Sequence, residues 1–394
     1  MTGESRRRRA SSADSSSVPD IPDDTERRAL VALSLVPSVG SRRMRALMSS
    51  MGSAEAVLGA SAASLASVPG IGRDLAVQIA TADYGKAVDE QFSRAEKAGA
   101  GIVTLGDPNY PFLLRQIHDP PVFLWMRGRL PVSDAPARAL AVVGTRRMSP
   151  YGLRVTGELT EALVREGFLI VSGLAYGVDA AAHRAALDAG GRTIAVLGSG
   201  IDWIYPARHT RLAEELMVDG ALLSEYAPGM APDGMHFPRR NRIVSGLALG
   251  TLVVEAYEEG GALITARLAV EQNREAFAVP GSVHSPSSAG VNRLIQKGEA
   301  KLVQSVEDIL EELDMGSRAM PAPIMKDIPA LSPEETTLCQ ALSTTTGALH
   351  INTLCLSAGM DPATALVHLL DLELKGIVKQ LAGKQFFLVA PVAS

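Results

Sequence analysis

Apolar and polar positions fall into distinct regimes along this chain. Between Ala137 and Leu313, short and nearly unbroken apolar runs alternate with amphipathic stretches of helical period. The runs are Ala139–Val143, Phe168–Val171, Thr193–Leu197, Ala221–Leu223, Thr251–Val254 and Glu275–Val279. Strands apolar on both faces suit a parallel sheet covered by helices on each side. Their alternation with helices predicts an α/β fold built on an extended, Rossmann-like doubly wound parallel sheet. Upstream, residues 84–135 predict a helix, a strand at Gly101–Leu105, and two proline-rich segments, Asp107–Pro111 and Pro120–Trp125. Prolines there mark turns and edge structure, with Tyr110 and Trp125 as core anchors.

The flanks follow other patterns. Glu26 to about Ala80 is helical and is punctuated by two similar turns, Val36-Pro-Ser-Val-Gly40 before Arg42 and Arg43, and Val68-Pro-Gly-Ile-Gly72 before Arg73. They resemble helix-hairpin-helix units, either holding DNA phosphate through glycine-turn amides or serving as a plain helical packing module. After a Pro/Met/Ala-rich linker at Met315–Ala330, three helices are expected at Pro333–Leu342, Ile351–Ala358 and Pro362–Leu374. A hairpin of Ile377–Gln380 and Gln385–Val389 completes a winged-helix pattern. The helix that would enter a groove carries Asp361, Asp371 and Glu373, which favours a protein-contact or structural role over reading duplex phosphate. The expected organisation is a disordered tail over 1–24, a helix-hairpin-helix-like domain over 25–83, the α/β core over 84–314, a linker over 315–330 and a winged-helix domain over 331–394.

Charge changes the picture only locally. The 394 residues carry a formal charge of −5, which argues against non-specific coating of nucleic acid but leaves room for one basic pocket. Cys339 and Cys355 lack metal-type spacing and predict buried thiols in a reducing compartment. No apolar run reaches transmembrane length, and serines follow Arg6–Arg9 where a signal peptide would have an apolar core. A soluble, cytoplasmic protein with no membrane association is expected.

The candidate chemistry is positional. Gly144-Thr-Arg146-Arg147 follows the first apolar run of the core, Ser172-Gly173 the second, Gly198-Ser-Gly200 the third, Ser224-Glu225 the fourth, Glu255 the fifth and Pro280-Gly281 the sixth. All lie at carboxyl ends of strands, where open α/β sheets bind ligands. Phe237-Pro-Arg-Arg240-Asn241-Arg242 opens a helix, and Gly260-Gly261-Ala-Leu-Ile-Thr265 opens another with the makings of an anion nest. Helix N-termini hold anions through N–H groups, and arginine binds phosphate bidentately. A phosphate-bearing ligand is therefore expected, with Arg146, Arg147, Arg240 and Arg242 supplying charge and Arg208 a further candidate; Arg239 is expected to be solvated.

Other chemistries fit less well. Gly198-Ser-Gly200 begins a dinucleotide fingerprint, but Trp203 occupies its third glycine position. No P-loop motif is present, and the histidines lack ligand spacing. Asp179 and His183 predict a hydrogen-bonded capping or core role, and neither a metal nor a cofactor is expected.

Spaced motifs resemble the DNA-processing protein A family (DprA, also called Smf). They include Ala141-Val-Val-Gly-Thr-Arg146, Val171-Ser-Gly-Leu-Ala-Tyr-Gly-Val-Asp179, Ile194–Asp202 with Tyr205-Pro206, Phe237–Ile243, Leu263–Ala266, Ala278–Gly281 and Ser288–Ile295. The likeness spans about residues 107–310. It implies a non-catalytic, typically dimeric protein that binds incoming single-stranded DNA and loads the RecA recombinase during natural transformation. Gly144 and Arg146 would then grip the DNA backbone, Arg208 would lie near a basic position, and Asn241, Arg242 and Thr265 would complete the pocket. Two departures stand out: Gly260-Gly-Ala262 replaces the usual Ser-Gly-Ser, and His209 stands where asparagine is common. Tyr176 and Tyr205 are candidate base stackers or packing residues, and the low aromatic content predicts little stacking overall.

The rival is a nucleoside-monophosphate phosphoribohydrolase-like enzyme on a related fold. Gly250-Thr-Leu-Val-Val-Glu255 after Arg242 resembles its signature, with one residue too many between Thr251 and Glu255.

Overall fold

The computed structural model describes residues 25–130, 138–315, 331–343, 348–381 and 384–388. The tail expected over 1–24, and the expected linker from residue 316 to 330, lie outside them. Among the described residues, nine strands form one mixed sheet: β1 (Gly101–Thr104), β2 (Phe123–Gly128), β3 (Ala139–Val143), β4 (Leu169–Ser172), β5 (Thr193–Val196), β6 (Ala221–Ser224), β7 (Gly250–Val253), β8 (Glu275–Ala278) and β9 (Lys301–Leu302). Their spatial order is β1-β2-β6-β5-β4-β3-β7-β8-β9. From β6 through β9 every pairing is parallel, as the two-sided apolar runs predict.

Beyond the expected parallel strands, the sheet is extended at one edge. The segment after Pro120-Pro121 forms β2, which runs antiparallel to both β1 and β6. The prolines precede the strand rather than interrupting it, so the ladder from Phe123 onward loses no donor. Trp125 is buried at its centre with Phe92 and Phe123 edge-on at 5.6 and 6.0 Å. Tyr110 is likewise buried and donates to the Pro121 carbonyl at 2.7 Å.

The winding direction sets the site. The chain runs outward through β3, β4, β5 and β6, then returns along the helix His236–Gly246 to β7 on the other side of β3. The strand order reverses between β3 and β7, opening a crevice at their carboxyl ends.

The N-terminal helices, Thr25–Leu35 through Gly85–Lys97, share a core with the outward half of the sheet, Leu47 and Leu65 joining Trp125, Leu197 and Leu222. Polar contacts cross the same boundary: Arg27 to Asp107 at 3.1 Å, Arg45 to Asp119 at 3.2 Å and the Ser41 hydroxyl to Glu225 at 2.6 Å. In the C-terminal part, helices Pro333–Ser343, Ile351–Ala358 and Pro362–Leu374 pack with β10 (Leu349–His350), β11 (Val378–Leu381) and β12 (Gln385–Leu388) in the order β10-β12-β11. Asp361 caps the last helix, accepting from the amides of Ala363 and Thr364. Cys339 and Cys355 are buried and unbridged in this core, and burial pushes the Cys339 thiol up to about 11. The solvent face of helix Pro362–Leu374 presents Val367, Leu370 and Leu374 instead of basic side chains. Among the described residues no single helix is long and apolar enough to cross a membrane.

Candidate nucleic-acid interface

The crevice at the β3/β7 reversal is an open cleft of about 570 Å³. The loop after β3 contributes Gly144, Thr145 and Arg146, the loop after β4 contributes Gly173 and Ala175, and the loop after β5 contributes Tyr205. Helix His236–Gly246 contributes Phe237, Arg240, Asn241 and Val244, spaced i, i+3, i+4, i+7 on one face. Helix Gly261–Glu271 closes the far side with Gly261, Ala262, Ile264 and Thr265. The Leu263 amide is taken by the Gly260 carbonyl at 3.1 Å, so the amides of Gly261 and Ala262 are the donors its N-terminus presents toward the cleft.

Two arginines charge this cleft in different ways. Arg146 is exposed, its guanidinium 5.2 Å from the Phe237 ring centre, and among the described residues no acidic side chain forms an ion pair with it. Arg240 is buried beneath the same ring at 6.0 Å, and its Nη1 donates to the Val196 carbonyl. Burial brings its guanidinium down to about 10, which leaves it charged at neutral pH. Gly173 is required by this packing: a Cβ there would lie 2.2 Å from Arg240 Nη1. Asp179 is buried alongside, accepting from the Gly173 and Ala175 amides at 3.2 and 3.4 Å. Burial raises its carboxyl pKa, and the Arg240 charge opposes that rise. One arginine is thus committed to the floor of the cleft and one is free at its rim.

The sequence candidates divide accordingly. Gly144, Arg146, Gly173, Arg240, Asn241, Gly261 and Thr265 meet in the cleft, where Asn241 Nδ2 reaches the Gly261 carbonyl at 3.5 Å. Ser172 does not: it is buried and its hydroxyl donates to the Val142 carbonyl at 2.6 Å. Gly198 lies behind the Phe237 ring, 2.7 Å from where its Cβ would be. Arg147 and Arg208 are exposed but outside the cleft wall, Arg208 on the short helical turn Ala207–His209.

Arg242 is the clear correction. Two positions beyond Arg240 it turns to the opposite side of the helix and donates to both oxygens of Glu225 at 2.6 and 2.8 Å. A third contact runs to Asp119 at 3.5 Å. Ser41 bonds the same Glu225 carboxylate and Arg45 the same Asp119, so the crossing helix and the N-terminal domain are joined through two shared carboxylates.

Among residues that sequence reasoning left out of the site, Phe237 is central, lying under Arg146, over Arg240 and 5.9 Å from Tyr205. Its place four residues before Asn241 on an arginine-bearing helix was the available signal. Glu255 and His183 are explained by structure. The Glu255 carboxylate accepts from Ser149 N, Ser149 Oγ and Ser287 Oγ at 2.7–2.9 Å and does not line the cleft. His183 is fully buried against the Thr193 hydroxyl at 2.7 Å.

Comparison with known proteins places the chain in a family. Residues 101–314 match the family model described as DNA recombination-mediator protein A, residues 320–384 the DprA winged helix domain, and residues 30–82 a SAM-like helix-hairpin-helix tandem. The chain is 45% identical over 215 residues to the DNA processing protein DprA of Bacillus subtilis, covering 55% of this chain and 72% of that protein. It is 38% identical over 309 residues to the Protein Smf of Escherichia coli, covering 76% and 80%. An X-ray structure of DNA processing protein A from Streptococcus pneumoniae superposes with a TM-score of 0.62 at 34% identity, covering 72% of this chain and 95% of that one. Matched by its family model over more than half its length and by close relatives over most of theirs, the chain belongs to the DNA recombination-mediator protein A family, whose members include DprA and Smf.

Proposed function

We propose that this protein binds single-stranded DNA by its phosphates in the β3/β7 cleft and loads the RecA recombinase onto it during natural transformation or recombination, without catalysis. The observation that carries the binding role is Arg146, an exposed guanidinium without an acidic partner among the described residues, held over Phe237 and lining the same cleft as the N-terminus of helix Gly261–Glu271. Phosphate is the ligand such a pair of donors suits. Contacts to the backbone tolerate any sequence, as a protein that receives arbitrary incoming strands requires. Arg147 and Arg208 extend the charge beyond the cleft.

A non-catalytic role is supported by the fate of the acidic groups. Glu255, the carboxylate the hydrolase reading needs, is held by two serines, and Asp179, which lines the cleft, is engaged by the backbone amides of Gly173 and Ala175. Family membership supports RecA loading, a homodimeric assembly and a cytoplasmic location as parts of the same proposal. Anisotropy of labelled oligo-dT against duplex, followed by RecA nucleation on strands coated with single-strand-binding protein, tests it. Tight oligo-dT binding with faster nucleation is expected. Binding without faster nucleation would remove the loading role, and base release from a nucleoside monophosphate would restore the enzyme reading.

A further inference from the structure

Beside the cleft, the loops after β4 and β5 expose aromatic rings for which the phosphate contacts have no use. Trp203 is 48% exposed, Tyr205 43% and Tyr176 42%. Aromatic residues make up only 4% of the sequence, so three exposed rings on two adjacent loops are a concentration that packing does not explain. Their backbones are fixed. The Trp203 amide donates to the Gly200 carbonyl at 2.9 Å, and its carbonyl accepts from Ser199 Oγ at 2.6 Å. Tyr205 packs on Phe237, and Tyr176 stands edge-on to His209 at 5.1 Å. His209 Nδ1 lies 2.8 Å from the Leu174 carbonyl, which pins the two loops together. Arg208 is exposed on the same stretch, with no ion pair to an acidic side chain among the described residues.

We propose that Trp203, Tyr205 and Tyr176 form a base-stacking lane that receives the strand where it leaves the phosphate cleft. The inference rests on the single-strand reading of that cleft and adds the contact that distinguishes single from double strands. Phosphates are present in both, so backbone contacts alone discriminate little. Aromatic faces stack on a base only after its neighbours have released it, and they do so for every base. Continuity with the cleft through Tyr205, with Arg146 in that cleft and Arg208 exposed just after Tyr205, makes nucleic acid the occupant that fits. A second copy of this chain would bring the same arginines against these.

The sequence has two tryptophans, and Trp125 is fully buried, so Trp203 reports on the lane by its own fluorescence. The full-length protein is titrated with oligo-dT and with an abasic strand of equal length, following both tryptophan emission and anisotropy of an end label. Oligo-dT should quench Trp203 and bind about tenfold more tightly than the abasic strand. Trp203→Ala should erase most of that advantage, Tyr176→Ala should reduce it, and Trp203→Phe should keep affinity while removing the quench. Equal binding of both strands with unchanged emission overturns the lane and leaves the cleft standing. Binding of neither strand overturns both. Emission that follows protein concentration instead of oligonucleotide assigns the rings to a contact between copies and overturns the lane as well.

Discussion

Replacing Arg242 with alanine should destabilise the fold and spare nucleic-acid affinity, the reverse of the same change at Arg146. Arg242 makes two hydrogen bonds to Glu225 and a longer ion pair to Asp119, with its side chain 16% exposed and that of Glu225 22%. Breaking a fully buried pair by removing one partner costs about 3–5 kcal/mol. Here water reaches the abandoned carboxylate and Ser41 still donates to it, so about 2 kcal/mol is the expected loss. For a core of this size that lowers Tm by about 4–8 °C. Glu225→Ala combined with Arg242→Ala should destabilise less than the sum of the two, a coupling of about 1–2 kcal/mol. Arg146→Ala, at an exposed position, should leave Tm within a degree or two and weaken oligo-dT severalfold. Thermal melts and anisotropy on wild type and four variants, the two single changes at Arg242 and Glu225, their combination and Arg146→Ala, decide the matter. An Arg242→Ala protein that melts normally but fails to bind oligo-dT would refute the assignment of Arg242 to the domain joint.

Glycines at the cleft separate in the same manner. Gly144→Ala would place a methyl 2.5 Å from Val178 and 2.9 Å from the Glu255 carbonyl, so it should cost about 1–3 kcal/mol in denaturant titration. Gly261→Ala meets no atom within 4 Å and should melt normally while weakening oligo-dT by crowding the helix amides. Glu255→Gln sets an amide donor among groups that already donate and should destabilise by about 1–3 kcal/mol, with no base release from nucleoside monophosphates before or after. His183 is held neutral by burial, its pKa lowered from 6.5 to about 3. Above pH 6.5 both folded and unfolded forms are neutral; below it only the unfolded form gains the proton, so stability falls as pH drops from about 6.5 toward 3, by up to about 1.4 kcal/mol per unit. The raised pKa of Asp179 acts in the opposite sense, since the folded state takes up that proton first. Melts across this range for wild type and His183→Gln isolate the histidine, whose removal should flatten the acid-side fall.

The sheet was legible because its strands are apolar on both faces, and the cleft because polar clusters follow those strands one after another. Strand β2 was hidden by its preceding prolines and by a pairing that is antiparallel to distant β6. Strand β9, two residues long, carries too little pattern to register. The helix His236–Gly246 shows the limit most sharply. Four polar residues from Arg239 to Arg242 look equivalent in a sequence, but the helical turn sends Arg240 and Asn241 into the cleft and Arg242 away from it. What captures Arg242 is a carboxylate 17 positions earlier, itself shared with Ser41, and such long-range partners are not written in local pattern. The departure from Ser-Gly-Ser at Gly260–Ala262 removes hydroxyls from the helix entry but leaves its amides on the cleft wall.

Arg146 is proposed to neutralise a phosphate of a single strand in the cleft. The salt dependence of oligo-dT affinity tests it most directly, because each phosphate neutralised on a single strand contributes a slope of about −0.7 in log K against log salt. Arg146→Ala should bind more weakly at low salt and show a slope shallower by about 0.7 than wild type. Parallel lines of equal affinity for the two proteins would mean that Arg146 touches no phosphate.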